Sequence, residues 1–249
     1  MSNNNDIFGD FLSETKKAVN DIPQQEKEEI EVDERLERWK QKRIGLITSS
    51  CLPNLMKLDK SGHCSQKTGI DYLLEIMHQR QTGIDAQESF AKAFEWGHQY
   101  EEEALDYYNK CTGINAISGT SGFYDILFRT PISGFGDSPD GTTMDEIGVI
   151  EIKCPYNAAN HLRNCALNAY HDKLYYFWQL IGHMIYDKVK WCDFVSYDPR
   201  YKDGHPNKIK IIRINRSDVQ TRIDQLVSKI TWWNELIENG DITKIIEEA

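Results

Sequence analysis

The chain has 249 residues, 40% hydrophobic and 27% charged, and its 39 acidic residues outnumber 29 basic ones to give a formal charge of −10. That length can bury a substantial core as one large domain or two small ones, and no apolar run approaches the roughly 20 residues of a membrane-spanning helix. The opening MSNNNDIFGD lacks the basic start and apolar stretch of a secretory signal, so a cytoplasmic location and no membrane partner are expected.

The acidity is uneven. Residues 1–34 hold ten acids and three lysines, a net of −7, which leaves −3 for the rest of the chain. Rich in Asn and Gln and poor in aromatics, residues 1–32 are expected to form a flexible acidic leader ahead of one folded domain over 33–249. The opposite sign collects at 200–216, where Arg200, Lys202, Lys208, Lys210, Arg213 and Arg216 meet a single acid, Asp203, and again at Lys57, Lys60 and Lys67. Phosphate affinity depends on where cations cluster rather than on total charge. On charge alone, a solvated surface is the simpler reading of both stretches.

In chain order, a helical pattern runs from about Asp33 to Trp39, followed by RIGLITSS, whose Thr48, Ser49 and Ser50 are suited to cap a short helix. Ile70, Leu73, Leu74 and Met77 are spaced for a helix over 70–81. Phe90, Phe94, Gly97, Tyr100, Ala104, Leu105 and Tyr108 predict a longer one over about 87–110, closed by Gly113. FYDILF, PISGFGDSPDGTT and VIEIKCP read as strands joined by turns. Tyr170 to Tyr186 is again helical, and WCDFVSY and KIKIIRI are two further strands. A last helix opens at Ser217, with Gln220 three residues on completing a capping box. It buries Val219, Ile223, Leu226, Ile230, Trp233 and Ile237, and stops at Gly240. The expected fold is α/β (α+β), a mixed central sheet flanked by helices.

The six cysteines include no C-x-x-C pair and the seven histidines no H-x-x-x-H, so neither a zinc site nor a redox motif is legible. No phosphate-binding glycine loop is present, and the glycines of GFGDSPDG read as a turn. The informative segment is SPDGTTMDEIGVIEIKCPY. Asp140 sits in a Pro-Asp-Gly turn, and about ten residues on comes an apolar strand interrupted by Glu151 and Lys153. Alternation puts Glu151 and Lys153 on one strand face, Ile150 and Ile152 on the other. A tight hairpin through Asp145–Gly148 would bring Asp140 beside Glu151, so two carboxylates and a lysine converge. A lone E-x-K is commonly an exposed, ion-paired strand face; the PDG turn at this spacing and the apolar opposite face argue for more. Hard carboxylate oxygens suit Mg²⁺, which polarises a phosphodiester oxygen, and a neighbouring lysine can orient or help deprotonate water and stabilise negative charge.

P-D-x(n)-E-x-K is the signature of the PD-(D/E)XK nuclease superfamily. EWGHQYEEEAL, SPDG, VIEIKCPY, the YYFWQ segment and SYDPRYK follow in that order, with RIGLITSS upstream. The series resembles the lambda-exonuclease and YqaJ-type viral recombinase family, from about Trp39 to the terminal helix. The resemblance implies a Mg²⁺-dependent exodeoxyribonuclease, with two ions per site and Mn²⁺ able to substitute. Their ligands would be Asp140, Glu151, the backbone carbonyl of Ile152, and Glu101 from the W-G-x-x-Y-E block. Lys153 would be the catalytic lysine, Gln179 would orient water or a phosphate oxygen, and the nearby Tyr176 would help bind the DNA phosphate. Arg43 with Ser50 matches the family's 5′-phosphate pocket, a pairing that suits a terminal dianion, and Ser138 is placed to contact the same region.

The implied reaction is 5′→3′ digestion of linear double-stranded DNA to mononucleotides. It would leave 3′ single strands for an annealing protein in viral or phage recombination. A ring-shaped homo-oligomer, a trimer by resemblance, is implied as well. The rivals are an endonuclease of the same superfamily, of restriction or junction-resolving type, and a non-catalytic DNA-end-binding scaffold. Presence of Asp140, Glu151 and Lys153 together argues against the scaffold. The cysteines are too scattered for an iron–sulfur variant.

Overall fold

The structure is a computed structural model that describes residues 24–65, 67–85, 92–120, 126–169 and 175–248. The chain divides into two units, residues 1–41 and 42–249. Most of helix α1 (Gln24–Arg43) belongs to the first. It begins inside the stretch expected to be leader, in keeping with a run of Glu, Gln, Lys and Arg, all good helix formers. Exposed ion pairs one turn apart, Arg38–Glu34 and Lys40–Glu37 at 3.7 Å, support it from its own surface. Residues 1–23 of the expected leader lie outside the described residues.

The second unit is built on a five-stranded sheet in the order β2-β4-β5-β6-β7. These strands are Ala116–Ser118 (β2), Gly141–Thr143 (β4), Gly148–Lys153 (β5), Trp191–Tyr197 (β6) and Ile209–Asn215 (β7). All neighbours are antiparallel except β5 and β6, which pair in parallel from Gly148↔Trp191 to Lys153↔Ser196. A parallel pair needs a long crossover, and helices α5 (Ala158–Cys165) and α6 (Phe177–His183) occupy it. A separate parallel pair joins β1 (Ile47–Thr48) to β3 (Phe135–Gly136). The other helices are α2 (Leu52–Leu55), α3 (Lys67–Thr82), α4 (Lys92–Thr112), α7 (Arg216–Asn239) and α8 (Ile242–Glu248).

Strand alternation gives the sheet two apolar faces. Ile150, Ile152, Val195 and Tyr197 bury against Ala104, Leu105 and Tyr108 of α4. Val149, Cys192, Phe194 and Ile214 share the other core with Leu180 and Ile181 of α6, Leu73 and Ile76 of α3, and Ile223, Leu226, Ile230 and Trp233 of α7. Among the described residues no helix is long and apolar enough to cross a membrane.

Several expectations change. The long helix starts at Lys92 among the described residues, with 86–91 outside them. FYDILF is no strand over its described part, Ile126–Phe128. Phe128 instead lays its ring over Gly136, and only Arg129 bridges to Asp137. Thr48 makes no capping bond, because its hydroxyl is spent on Ser50 and Tyr72. The capping box at Ser217 does not form either. The helix starts one residue earlier, Ser217 donates to Asp218, and Gln220 reaches Asp224 at 2.8 Å. The helix expected over 170–186 is the short α6, with 170–174 outside the described residues, while β2, α5 and α8 were not anticipated.

The basic run is also changed by folding. Arg200 grips Asp198 and Arg213 grips Asp193, each through two bonds of 2.7 Å. Arg216 donates to the carbonyls of Met184, Tyr186 and Val189. Lys208 is buried between the rings of Tyr107 and Tyr197, with Asp203 at 3.2 Å. Four of the six cations are thus tied into the fold.

Candidate active site

The register of β4 and β5 pairs Gly141 with Ile150 and Thr142 with Val149. Continued by one residue, it sets Asp140 opposite Glu151. The strand β4 begins only at Gly141, and the side chain of Asp140 takes over the pairing by accepting the Ile152 N–H at 2.7 Å. The backbone of Asp140 is pinned as well, its carbonyl accepting from Gly119 N–H at 2.9 Å. Only glycine fits there, since a Cβ on Gly119 would stand 2.5 Å from the Pro139 carbonyl oxygen.

Glu151 points to the α6 side of the sheet and is 1% exposed. Its Oε1 accepts from Lys153 Nζ and from Gln179 Nε2, the latter at 2.6 Å. Its Oε2 meets His183 Nε2 at 2.8 Å, and the other ring nitrogen of His183 lies 2.6 Å from Asp137 Oδ1. A neutral imidazole has one donor; two carboxylates at these distances call for two. Burial alone would lower the His183 pKa, but Asp137 and Glu151 reverse this and hold it at about 10. Burial likewise disfavours the charge on Glu151, yet Lys153 and His183 outweigh it and keep its pKa below the usual value. The ammonium of Lys153 is opposed by burial and more than restored by Glu151 and Asp140. Asp140 shifts the other way, well above the usual carboxylate range, through burial first and then the charge of Glu151, with Glu101 of α4 adding to it.

Could these residues hold a divalent cation? Among the described residues no group of three or more His, Cys, Asp or Glu side chains is placed to hold a metal ion by itself. Mg²⁺ is satisfied by one or two carboxylates, with waters and substrate phosphate completing its shell. Asp140 and Glu151 supply hard oxygens, and the charge of Glu151 adds to burial in raising the Asp140 pKa. The donor set fits. Ile152 directs its N–H to the Asp140 side of the strand, and its side chain is buried on the α4 face.

Arg43 and Ser50 form a second group, linked through Thr48. Arg43 Nη2 lies 3.5 Å from Thr48 Oγ1, which is 3.3 Å from Ser50 Oγ and 3.2 Å from Tyr72 OH. Tyr72 also accepts the Thr48 N–H at 3.0 Å, fixing the turn. Burial lowers the Arg43 pKa without threatening its charge. Because Thr48 pairs with Gly136, one residue before Asp137, this pocket and the carboxylate cluster are joined through β3. Ser138 donates to the Leu127 carbonyl at 2.7 Å and stitches the turn before Asp140. Tyr176 stacks on Phe194, with Lys153 Nζ 5.4 Å from its ring centre.

Asp137, His183 and Tyr72 were not among the residues singled out in the sequence, and Thr48 was read there only as a helix cap. The i, i+4 spacing of Gln179 and His183 was the one available signal for His183: on a helix it puts both on one face, and both reach Glu151.

A sheet with an Asp-turn, a Glu-x-Lys strand and a glutamine-bearing helix converging at one strand end defines a nuclease domain. The profile of the YqaJ-like viral recombinase domain matches residues 38–187, and the chain belongs to that family. It is similar, at 28% identity and a TM-score of 0.67, to the alkaline exonuclease LHK-Exo from Laribacter hongkongensis, covering 85% of this chain and 97% of that one. The same enzyme in complex with dAMP gives a TM-score of 0.64. A phage-related exonuclease from Haemophilus somnus shares the fold, with a TM-score of 0.56 at 16% identity over 79% of this chain and 96% of that one. No curated protein matches the chain.

Proposed function

We propose that the chain is a Mg²⁺-dependent exodeoxyribonuclease that digests linear duplex DNA from its 5′ end. It releases mononucleotides and leaves a 3′ strand for an annealing partner. The observation that carries this reading is the meeting of Asp140, Glu151, Lys153 and Gln179 at one strand end. Asp140 and Glu151 would hold the cation, with Glu101 and the Ile152 carbonyl completing its surroundings. When bound, the ion supplies Lewis-acid polarisation of the scissile phosphate and neutralises charge there. Lys153, held as an ammonium by both carboxylates, donates to and stabilises the negative charge that develops on phosphorus-bound oxygen. The Gln179 amide uses its N–H on Glu151, which leaves its carbonyl to orient an attacking water. Arg43 and Ser50 take the terminal phosphate. A ring-shaped homo-oligomer threaded on DNA fits this activity, and LHK-Exo bound to dAMP supports a mononucleotide product.

The test compares 5′-phosphorylated linear duplex, 5′-hydroxyl linear duplex and closed circular DNA, each with Mg²⁺ and with chelator. The phosphorylated duplex should be degraded fastest, the circle should survive, and chelator should stop all digestion. Arg43→Ala should remove the preference for a 5′-phosphate. Circles consumed as fast as linear DNA would refute the exonuclease reading.

A further inference from the structure

Asp137 and His183 have no part in the chemistry assigned above, yet both side chains are fully buried and bonded into it. We infer that they form a positioning pair that fixes the Glu151 carboxylate for cation binding, an inference that rests on the metal reading of this site. The pair ties together three segments distant in sequence. Asp137 follows β3, His183 ends α6, and Glu151 lies on β5.

A carboxylate offers about four acceptor positions. Lys153 and Gln179 both occupy Oε1, so without His183 only one of the two oxygens would be held. The bond from His183 Nε2 at 2.8 Å fixes Oε2 too and leaves it one acceptor position for a cation. The ring cannot turn away, because Nδ1 is tied to Asp137 Oδ1 at 2.6 Å. Asp137 is itself anchored by its backbone, which exchanges two 2.8 Å bonds with Arg129. Partners that orient a ligating carboxylate typically govern metal affinity by about ten- to a hundredfold.

The amide nitrogen of glutamine can reach the position of His183 Nε2, and that of asparagine the position of Nδ1. His183→Gln therefore retains the bond to Glu151, whereas His183→Asn retains only the bond to Asp137. Mn²⁺ alone is titrated calorimetrically into the full chain and into each variant, with melting temperatures measured in parallel. The expected result is Mn²⁺ affinity weakened by roughly tenfold or more in His183→Asn and by less than about threefold in His183→Gln. A role confined to packing would lower both melting temperatures without separating the two Mn²⁺ affinities, and that outcome overturns the inference. If His183→Asn does not fold, Asp137→Asn keeps the shape and takes its place; an affinity equal to that of the unaltered chain overturns the inference. Failure of the unaltered chain to bind Mn²⁺ is a different result, and it removes the metal reading itself.

Discussion

Lys153→Ala is expected to reduce turnover of 5′-phosphorylated duplex by roughly 10²- to 10³-fold, the loss typical for one preorganised charge-stabilising donor. The fold should persist, because Glu151 keeps Gln179 and His183 and the strand pairing of β5 does not involve the lysine side chain. The ammonium is bonded to Glu151 and its charge acts on Asp140 as well, so its removal takes away a cation that both carboxylates feel. Single-turnover kinetics at saturating Mg²⁺ separate a slowed chemical step from weakened DNA binding. A rate equal to that of the unaltered chain, with the melting temperature intact, would remove Lys153 from the mechanism. Reduced Mg²⁺ affinity is not the expected signature; that belongs to the carboxylates.

Trp233→Ala should cost about 3–5 kcal/mol of stability, as large-to-small changes of buried aromatics do. Trp233 is completely buried on α7, in the core that also holds Phe177, Leu180 and Phe194. An indole of this kind buries some 150–250 Å², and α6, which carries Gln179 and His183, shares that core. Urea unfolding should show a lower midpoint with an unchanged slope. A loss under about 1 kcal/mol would mean that the core collapses into the space more easily than native packing density allows.

What could be read from the sequence follows from the range of the interactions involved. The alternation of VIEIK and the turn at Asp140 are local, and they place Glu151, Lys153 and Asp140 within one hairpin. Gly113 and Gly240 end their helices with the positive φ expected of them. His183 and Asp137 escaped notice because their partners lie 46 and 32 residues away for His183, and no spacing rule reaches so far. Thr48, read as a helix cap, is claimed by Tyr72 from a different helix. Gln220, read as half of a capping box, found an acid one turn ahead. Thr48 lost its local role to a tertiary partner, and Gln220 lost its own to a competing acid within the same helix.

The basic run at 200–216 has a further consequence. Duplex DNA carries a layer of condensed cations, and binding gains entropy when Lys and Arg side chains neutralise phosphates and release them. Arg200 and Arg213 are already paired with Asp198 and Asp193, and Lys208 with Asp203. Cations so paired would neutralise few phosphates, so DNA docked over this stretch would release few ions, and the segment would add little to the steepness with which salt weakens binding.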